Sequence, residues 1–154
     1  MLPVMAKPTI LAVDDDPGAS RAIARDLSTR YGADYSVARA TSGAEALTRL
    51  SRLALQDRRV ALVVSDQRMP GMTGIELLER VRNISADTKL LLLTAYADTD
   101  VAIKAINDIG LDYYMLKPWD PPQDKLYPVV EDLLGDWQDA HRDTTDQVRV
   151  VGHR

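Results

Sequence analysis

Asp66 follows the apolar run Val60-Ala61-Leu62-Val63-Val64-Ser65 and precedes Gln67-Arg68-Met69-Pro70-Gly71. A carboxylate on the loop leaving a buried strand is where an aspartate that takes a phosphoryl group would stand. Asp14 and Asp15 end an earlier run of the same kind, Thr9-Ile10-Leu11-Ala12-Val13, while Thr94 closes a third and Lys117-Pro118 ends a last one. Each residue taken singly has an ordinary use. An aspartate before Pro70-Gly71 can hold a turn, threonine is a common strand residue, and a lysine stem can lie along the surface. Three carboxylates, a hydroxyl and an ammonium at the same kind of strand end reverse that reading. Asp16 precedes Pro17 and reads as a helix N-cap, outside the group.

The elements that must position these residues repeat five times. Short apolar runs at 9–14, about 35–40, 60–65, 89–94 and 111–116 alternate with helical patterns, and three of the runs are apolar on both faces, as parallel strands covered by helices should be. The first helix opens at Asp16-Pro17, carries Ser20, Ile23, Ala24, Leu27 and Tyr31 on one stripe, and stops near Gly32. Ser42-Gly43-Ala44-Glu45 has capping-box spacing and opens a second helix through Leu47, Leu50 and Ala54, which ends at the polar loop 56–59. The third begins near Thr73-Gly74 with Ile75, Leu78 and Val81 inward. The fourth carries Ala102, Ala105, Ile106 and Ile109 before Gly110, and a fifth keeps helical spacing from Leu126 to Trp137 across Pro128. Five strands each followed by a helix predict a doubly wound parallel α/β sheet, whose ligands bind beyond the strand C-termini.

Composition sets bounds. At 154 residues with 45% hydrophobic content, the chain is long enough for one domain with a real core plus a tail. A net charge of −4 and a pI near 5.1 argue against direct nucleic-acid binding, which needs clustered Lys and Arg that do not stand out here. The absence of Cys removes disulfides, zinc–thiolate sites and thiol nucleophiles, and fits the cytoplasm. No apolar stretch approaches the roughly 20 residues of a membrane span, and the chain reads as soluble and unprocessed.

Val13-Asp14-Asp15-Asp16-Pro17, Ser65-Asp66-Gln67-Arg68-Met69-Pro70-Gly71-Met72-Thr73-Gly74, Leu93-Thr94-Ala95 and Leu116-Lys117-Pro118 occur in an order that resembles the receiver domain of two-component response regulators, over about residues 7–137. The resemblance implies a flavodoxin-like sheet of strand order 2-1-3-4-5 with five helices; the family is a standing example of that order, which periodicity alone leaves open. It implies a phosphorylation-dependent signalling switch, with Asp66 accepting a phosphoryl group from a histidine kinase or phosphotransfer protein. Asp14, Asp15, Asp66 and the backbone carbonyl of Arg68 would hold Mg²⁺, Asp14 through water or by turning inward, as oxygen ligands suit that ion. Lys117 would pair with the phosphoryl oxygens, and Thr94 would donate a hydrogen bond to them. Tyr114, three residues before the lysine, matches the aromatic that changes rotamer when the threonine moves. It would carry the signal to the face of helix 4, strand 5 and helix 5, the expected partner surface and one across which a homodimer could form. Arg68 and Tyr96 would flank the path of the water that removes the phosphoryl group. Trp119 stands where the family often has a smaller aromatic.

Such a domain is not an enzyme on other substrates. It catalyses only its own phosphorylation and dephosphorylation. A metal-dependent phosphohydrolase on a similar sheet would carry a second catalytic aspartate two residues after the nucleophile, where this chain has Arg68. The other reading is a phosphate-independent interaction module regulating a fused C-terminal oxidoreductase domain. Residues 138–154 read as a linker, with Val148 to Gly152 strand-like, and as the start of a C-terminal domain missing from this chain. This tail and the phrase Lys117-Pro118-Trp119-Asp120-Pro121-Pro122 resemble receivers fused at the N-terminus of thioredoxin-reductase-like flavoproteins. His141 and His153 lie outside every motif, so the phosphodonor is expected to be a separate protein.

Overall fold

Five parallel strands alternate with helices in the order β1 Thr9–Val13, α1 Pro17–Tyr31, β2 Ser36–Ala40, α2 Gly43–Leu55, β3 Val60–Asp66, α3 Gly74–Ile84, β4 Lys89–Thr94, α4 Thr99–Asp108, β5 Tyr113–Leu116 and α5 Leu126–Gly152. A 3₁₀ turn, Tyr96–Asp98, precedes α4. The computed structural model describes residues 6–152, and side chains as far as His141. The sheet order is β2-β1-β3-β4-β5, parallel at every pairing, which is the flavodoxin-like arrangement expected.

The continuous apolar runs make the central strands cores in both directions. Ile10, Ala12, Leu62, Val64, Leu91 and Leu93 pack toward α1 and α5, against Ile23, Leu27, Leu126 and Leu134. The alternate residues Leu11, Val13, Val63, Leu90 and Leu92 pack on the other face, against Leu50 of α2, Leu77 and Leu78 of α3 and Ala102 of α4. Each fully buried leucine contributes about 1.5–3 kcal/mol relative to an exposed one, so the three central strands form the rigid base of whatever stands at their ends.

Helix boundaries follow capping chemistry. Asp16 Oδ1 accepts from the Gly18 N–H at 3.0 Å, and Thr73 Oγ1 from the Glu76 N–H at 3.2 Å. Ser42 Oγ accepts from the Glu45 N–H at 3.0 Å, while the Glu45 carboxylate takes the Thr41 N–H at 3.3 Å. The reciprocal bond thus falls one residue before the N-cap. At the end of α2 the Arg58 N–H reaches Leu53 O at 2.9 Å and the Asp57 N–H reaches Ala54 O at 3.1 Å, with Asp57 at φ 55°. That is a Schellman turn with an aspartate in the left-handed position usually held by glycine.

Four local expectations change. β5 begins at Tyr113 rather than 111, because Gly110, at φ 70°, turns the chain and the Leu111 N–H bonds back to Ala105 O; the ladder with β4 starts at Leu91 and Tyr113. Ile106 does not face inward but is 41% exposed, since α4 turns Ala102, Ala105 and Ile109 to the sheet. Leu77, not singled out from the sequence, is fully buried on α3, while Ile75 is half-buried. Val148 to Gly152 belong to α5 and not to a strand; a helix satisfies its backbone within the segment, whereas a strand needs a neighbouring edge. Pro128 sits in the first turn of α5, where its missing N–H removes no helical bond.

Candidate functional site

The backbone ladder runs one residue past several strands and fixes the points from which the polar side chains project. The Asp14 N–H bonds Ala40 O at 3.1 Å, the Gln67 N–H bonds Leu93 O at 3.1 Å, and the Lys117 N–H bonds Thr94 O at 3.0 Å. Asp14 and Asp15 therefore leave β1, Asp66 ends β3, Thr94 ends β4 and Lys117 leaves β5, all on the C-terminal edge.

There the side chains meet. Carboxylate oxygens of Asp14, Asp15 and Asp66 lie within 4.8 Å of one another. Lys117 Nζ is 2.6 Å from Asp66 Oδ1 and 3.6 Å from Asp14 Oδ2. Asp14 and Asp66 are buried and Asp15 is exposed, so the group opens to solvent on one side. Asp16 stays out of it: its carboxylate caps α1 and its N–H donates to Asp14 Oδ1 at 3.0 Å.

Burial pushes the Asp14 carboxyl above its ordinary value; the Asp16 N–H and Lys117 oppose this, while Asp66 and Asp15 push the same way. For Lys117, burial alone would lower the ammonium, but its hydrogen bond to Asp66 and the charges of Asp66 and Asp14 outweigh that and hold it above the usual lysine value. One ammonium thus pairs with two members of a group of three carboxylates. An all-oxygen donor set with surplus negative charge fits a hard divalent cation of the Mg²⁺ type.

The other expected residues do not all reach this group. Thr94 is fully buried, and its Oγ1 donates to Ala95 O at 3.3 Å. Tyr114 is half-buried against the α2–α4 side of the core, while Tyr113 and Tyr96 are exposed. Arg68 turns its side chain away to fork onto Asp98, with Nε–Oδ2 at 2.8 Å and Nη2–Oδ1 at 3.0 Å. That pair joins the loop after β3 to the turn after β4. The Arg68 guanidinium holds the Asp98 carboxyl below its ordinary value, against a smaller upward push from burial. Trp119 donates Nε1–H to Asp26 Oδ2 at 2.9 Å, anchoring the β5–α5 loop on α1.

Two residues at the site were not singled out from the sequence. Gln67 accepts the Ile75 N–H on its side chain and the Gly74 N–H on its carbonyl, both at 2.9 Å, so it holds the start of α3 against the loop leaving β3. Its sole sequence signal is its place beside Asp66, since its partners lie seven and eight residues on. Asp98 is the other, and its pairing with Arg68, thirty residues away, leaves no local pattern.

Residues 10–127 match the family model described as response regulator receiver domain. The chain is 34% identical over 137 residues to the hydrogenase transcriptional regulatory protein HoxA of Cupriavidus necator, a match covering 87% of this chain and 26% of that protein. It is 37% identical over 110 residues to response regulator MprA of Mycobacterium leprae, covering 71% and 44%. The chain thus spans about a quarter of the length of the first curated relatives it matches. Among solved structures, a signal receiver domain of an HD domain-containing protein from Pseudomonas fluorescens superposes with a TM-score of 0.75 at 28% identity, over 92% of this chain and 97% of that one. Response regulator protein TrrA from Thermotoga maritima, in complex with Mg²⁺ and BeF, superposes with a TM-score of 0.64 at 30% identity, over 82% and 98%. Among the described residues no helix is long and apolar enough to cross a membrane.

Proposed function

The chain belongs to the receiver-domain family of two-component response regulators, and from that premise we propose that Asp66 is the residue through which it is switched. The observation that carries this reading is the 2.6 Å contact of Lys117 with Asp66, inside a group whose other members are the Asp14 and Asp15 carboxylates. An Asp66 oxygen attacks the phosphorus of a phosphohistidine on a kinase or phosphotransfer protein, or of a small acyl phosphate. The P–O bond to Asp66 forms as the bond to the leaving group breaks, and the electron pair leaves with that group. Little else in this reaction is left for the protein than positioning and charge.

Asp14, Asp15, Asp66 and the Arg68 carbonyl would hold Mg²⁺, which supplies positive charge against the phosphoryl oxygens. Lys117 exchanges its contact with Asp66 for one with a phosphoryl oxygen. Thr94 gives up its bond to Ala95 O and donates to another, and Tyr114 follows into the space the threonine vacates. The face this reaches carries exposed Ile103, Ile106, Tyr113 and Leu116, and a groove of about 550 Å³ between α4, β5 and α5. We assign that face to the protein partner, a second copy of the chain being one candidate. The length of the curated relatives supports reading 138–154 as the lead into an output domain, and family membership supports a cytoplasmic site of action.

Incubation with Mg²⁺ and acetyl phosphate, followed by intact mass and Trp119 fluorescence, tests the assignment. One added phosphoryl group, with a Mg²⁺-dependent change in emission, is expected for the natural chain and neither for Asp66→Asn. Phosphorylation of Asp66→Asn to the same extent would move the acceptor elsewhere.

A further inference from the structure

At the end of the sheet opposite Asp66, three arginines surround a second cavity. It measures about 230 Å³ and is walled by Thr9 and Ser36, the first residues of β1 and β2, by Gln56, and by Arg49, Arg52 and Arg58. The arginines come from the C-terminal half of α2 and from the Schellman turn that ends it, so the left-handed Asp57 is what delivers Arg58 to the wall.

The wall holds polar capacity that the chain does not use. Thr9 is 1% exposed and its Oγ1 has no hydrogen-bond partner; Arg58 Nε is buried and likewise unpartnered. The other arm of Arg58 makes only a long bond of 3.4 Å to Ser36 Oγ. A buried donor left unmet costs about 1–3 kcal/mol, so an occupant accepting from both would be favoured there. Charge is also in excess. Arg49 touches Glu45 only at 3.8 Å, and Arg52 and Arg58 have no carboxylate at ion-pair distance among the described residues. Cations near the end of a helix complement its dipole, which accounts for Arg52. The dipole does not account for a buried guanidinium nitrogen and a hydroxyl with nothing to bond.

We propose that this cavity binds a small phosphate-type dianion, either inorganic phosphate or a compact phosphate monoester. Guanidinium forks match phosphate oxygens bidentately, and hydroxyls such as Thr9 and Ser36 donate to the remainder. Size limits the choice: drug-sized ligands occupy roughly 300–1,000 Å³, so a phosphate with a small substituent fits and a nucleotide does not. The site is independent of Asp66 and shares no residue with it.

The test is a titration of the ¹⁵N-labelled chain with inorganic phosphate, in EDTA and at constant ionic strength, with acetate as a monoanionic control and glycerol 3-phosphate as the ester. Saturable amide shifts are expected at Thr9, Ser36, Gln56 and Arg58, unchanged in Asp66→Asn. Arg52→Gln, at an exposed position, should weaken binding about tenfold, the scale of one charge-assisted hydrogen bond, and Arg52→Lys should restore it only in part. Equal binding of the ester identifies the phosphate head as the recognised group, and binding of inorganic phosphate alone confines the ligand to the free ion. Shifts that do not saturate, that acetate reproduces, or that Arg52→Gln leaves unmoved would overturn the assignment.

Discussion

Gly74 and Gly43 occupy the same place in two helices, the first position after the N-caps Thr73 and Ser42, and replacing each with alanine should have opposite results. A Cβ at Gly74 would lie 2.3 Å from Asp66 O, 3.0 Å from Asp66 C and 2.8 Å from a methyl of Leu92. The carbonyl belongs to the last residue of β3, which is paired in the middle of the sheet with Leu93 of β4, so it cannot retreat without disturbing the ladder. A Cβ at Gly43 would instead meet only the Met72 side chain, with Sδ at 2.5 Å and Cβ and Cγ at 3.0 Å; the thioether can rotate away, and the loop carrying Met72 need give only a few tenths of an ångström. Alanine gains at most about 1 kcal/mol of helix propensity at either position. Overpacking against a fixed core costs about 1–3 kcal/mol. Gly43→Ala should therefore stay within about 0.5 kcal/mol of the natural chain, as a tolerated substitution does. Gly74→Ala should lose about 1–2 kcal/mol net, or roughly 3–8 °C in Tm for a domain of this size. It should also slow phosphorylation by acetyl phosphate, because the displaced group carries Asp66. Urea unfolding of both variants, with phosphorylation rates measured alongside, reads both effects. A Gly74→Ala chain as stable and as rapidly phosphorylated as Gly43→Ala would show that the start of α3 slides freely past Asp66, and would refute the reasoning.

Asp57→Gly should stabilise the chain by about 0.5–1 kcal/mol in urea unfolding, since it relieves a left-handed residue and removes an anion from a helix C-terminus. In metal-free protein the Asp98 carboxyl, followed by ¹³C NMR, should titrate below the ordinary 3.8 and move upward in Arg68→Gln. Its depressed value means that the stabilisation from the Arg68 pair is present above the unfolded-state pKa and lost as pH falls through the folded one; a midpoint that Arg68→Gln leaves in place would remove Arg68 as the cause. Tyr96→Ala should shorten the half-life of the phosphorylated chain, because the exposed ring flanks the approach of water, and an unchanged half-life would remove Tyr96 from that role.

What the sequence could disclose followed from how local the governing interactions are. The four earlier strand runs and the caps at Asp16 and Ser42 are decided within four residues, and the structure carries them, while the run at 111–116 shortens to Tyr113–Leu116 and Val148 to Gly152 are helical. The meeting of Asp14, Asp15, Asp66 and Lys117, with Thr94 ending β4 at the same edge, was legible because parallel topology forces strand ends to one edge. Ile106 was misread because α4 lies over the sheet with a narrow inward stripe, so helical period alone could not say where burial stops. Strand order needed the family resemblance. The contacts of Gln67 with Gly74 and Ile75, the Arg68–Asp98 fork and the arginine cavity were not visible, since each joins segments whose proximity exists only after folding. The cavity is the clearest instance: Thr9, Ser36 and Arg58 come from three elements, in a chain whose net charge is negative.

Asp98 also stands at the N-cap of α4, yet makes no capping bond there, because Arg68 holds its carboxylate. The helix therefore starts from the 3₁₀ turn, whose Tyr96 carbonyl takes the Thr99 N–H, without a side-chain cap, and rests on Ala102, Ala105 and Ile109, where α1 and α5 are secured by large side chains. In free-energy terms α4 occupies the shallow end of the molecule, the segment whose amides should open first to solvent exchange while the sheet beneath stays closed. The carboxylate that could cap α4 is instead engaged by Arg68 of the loop after β3. The start of α4 is thus tied to the loop that follows Asp66 through a surface ion pair and not through its own backbone.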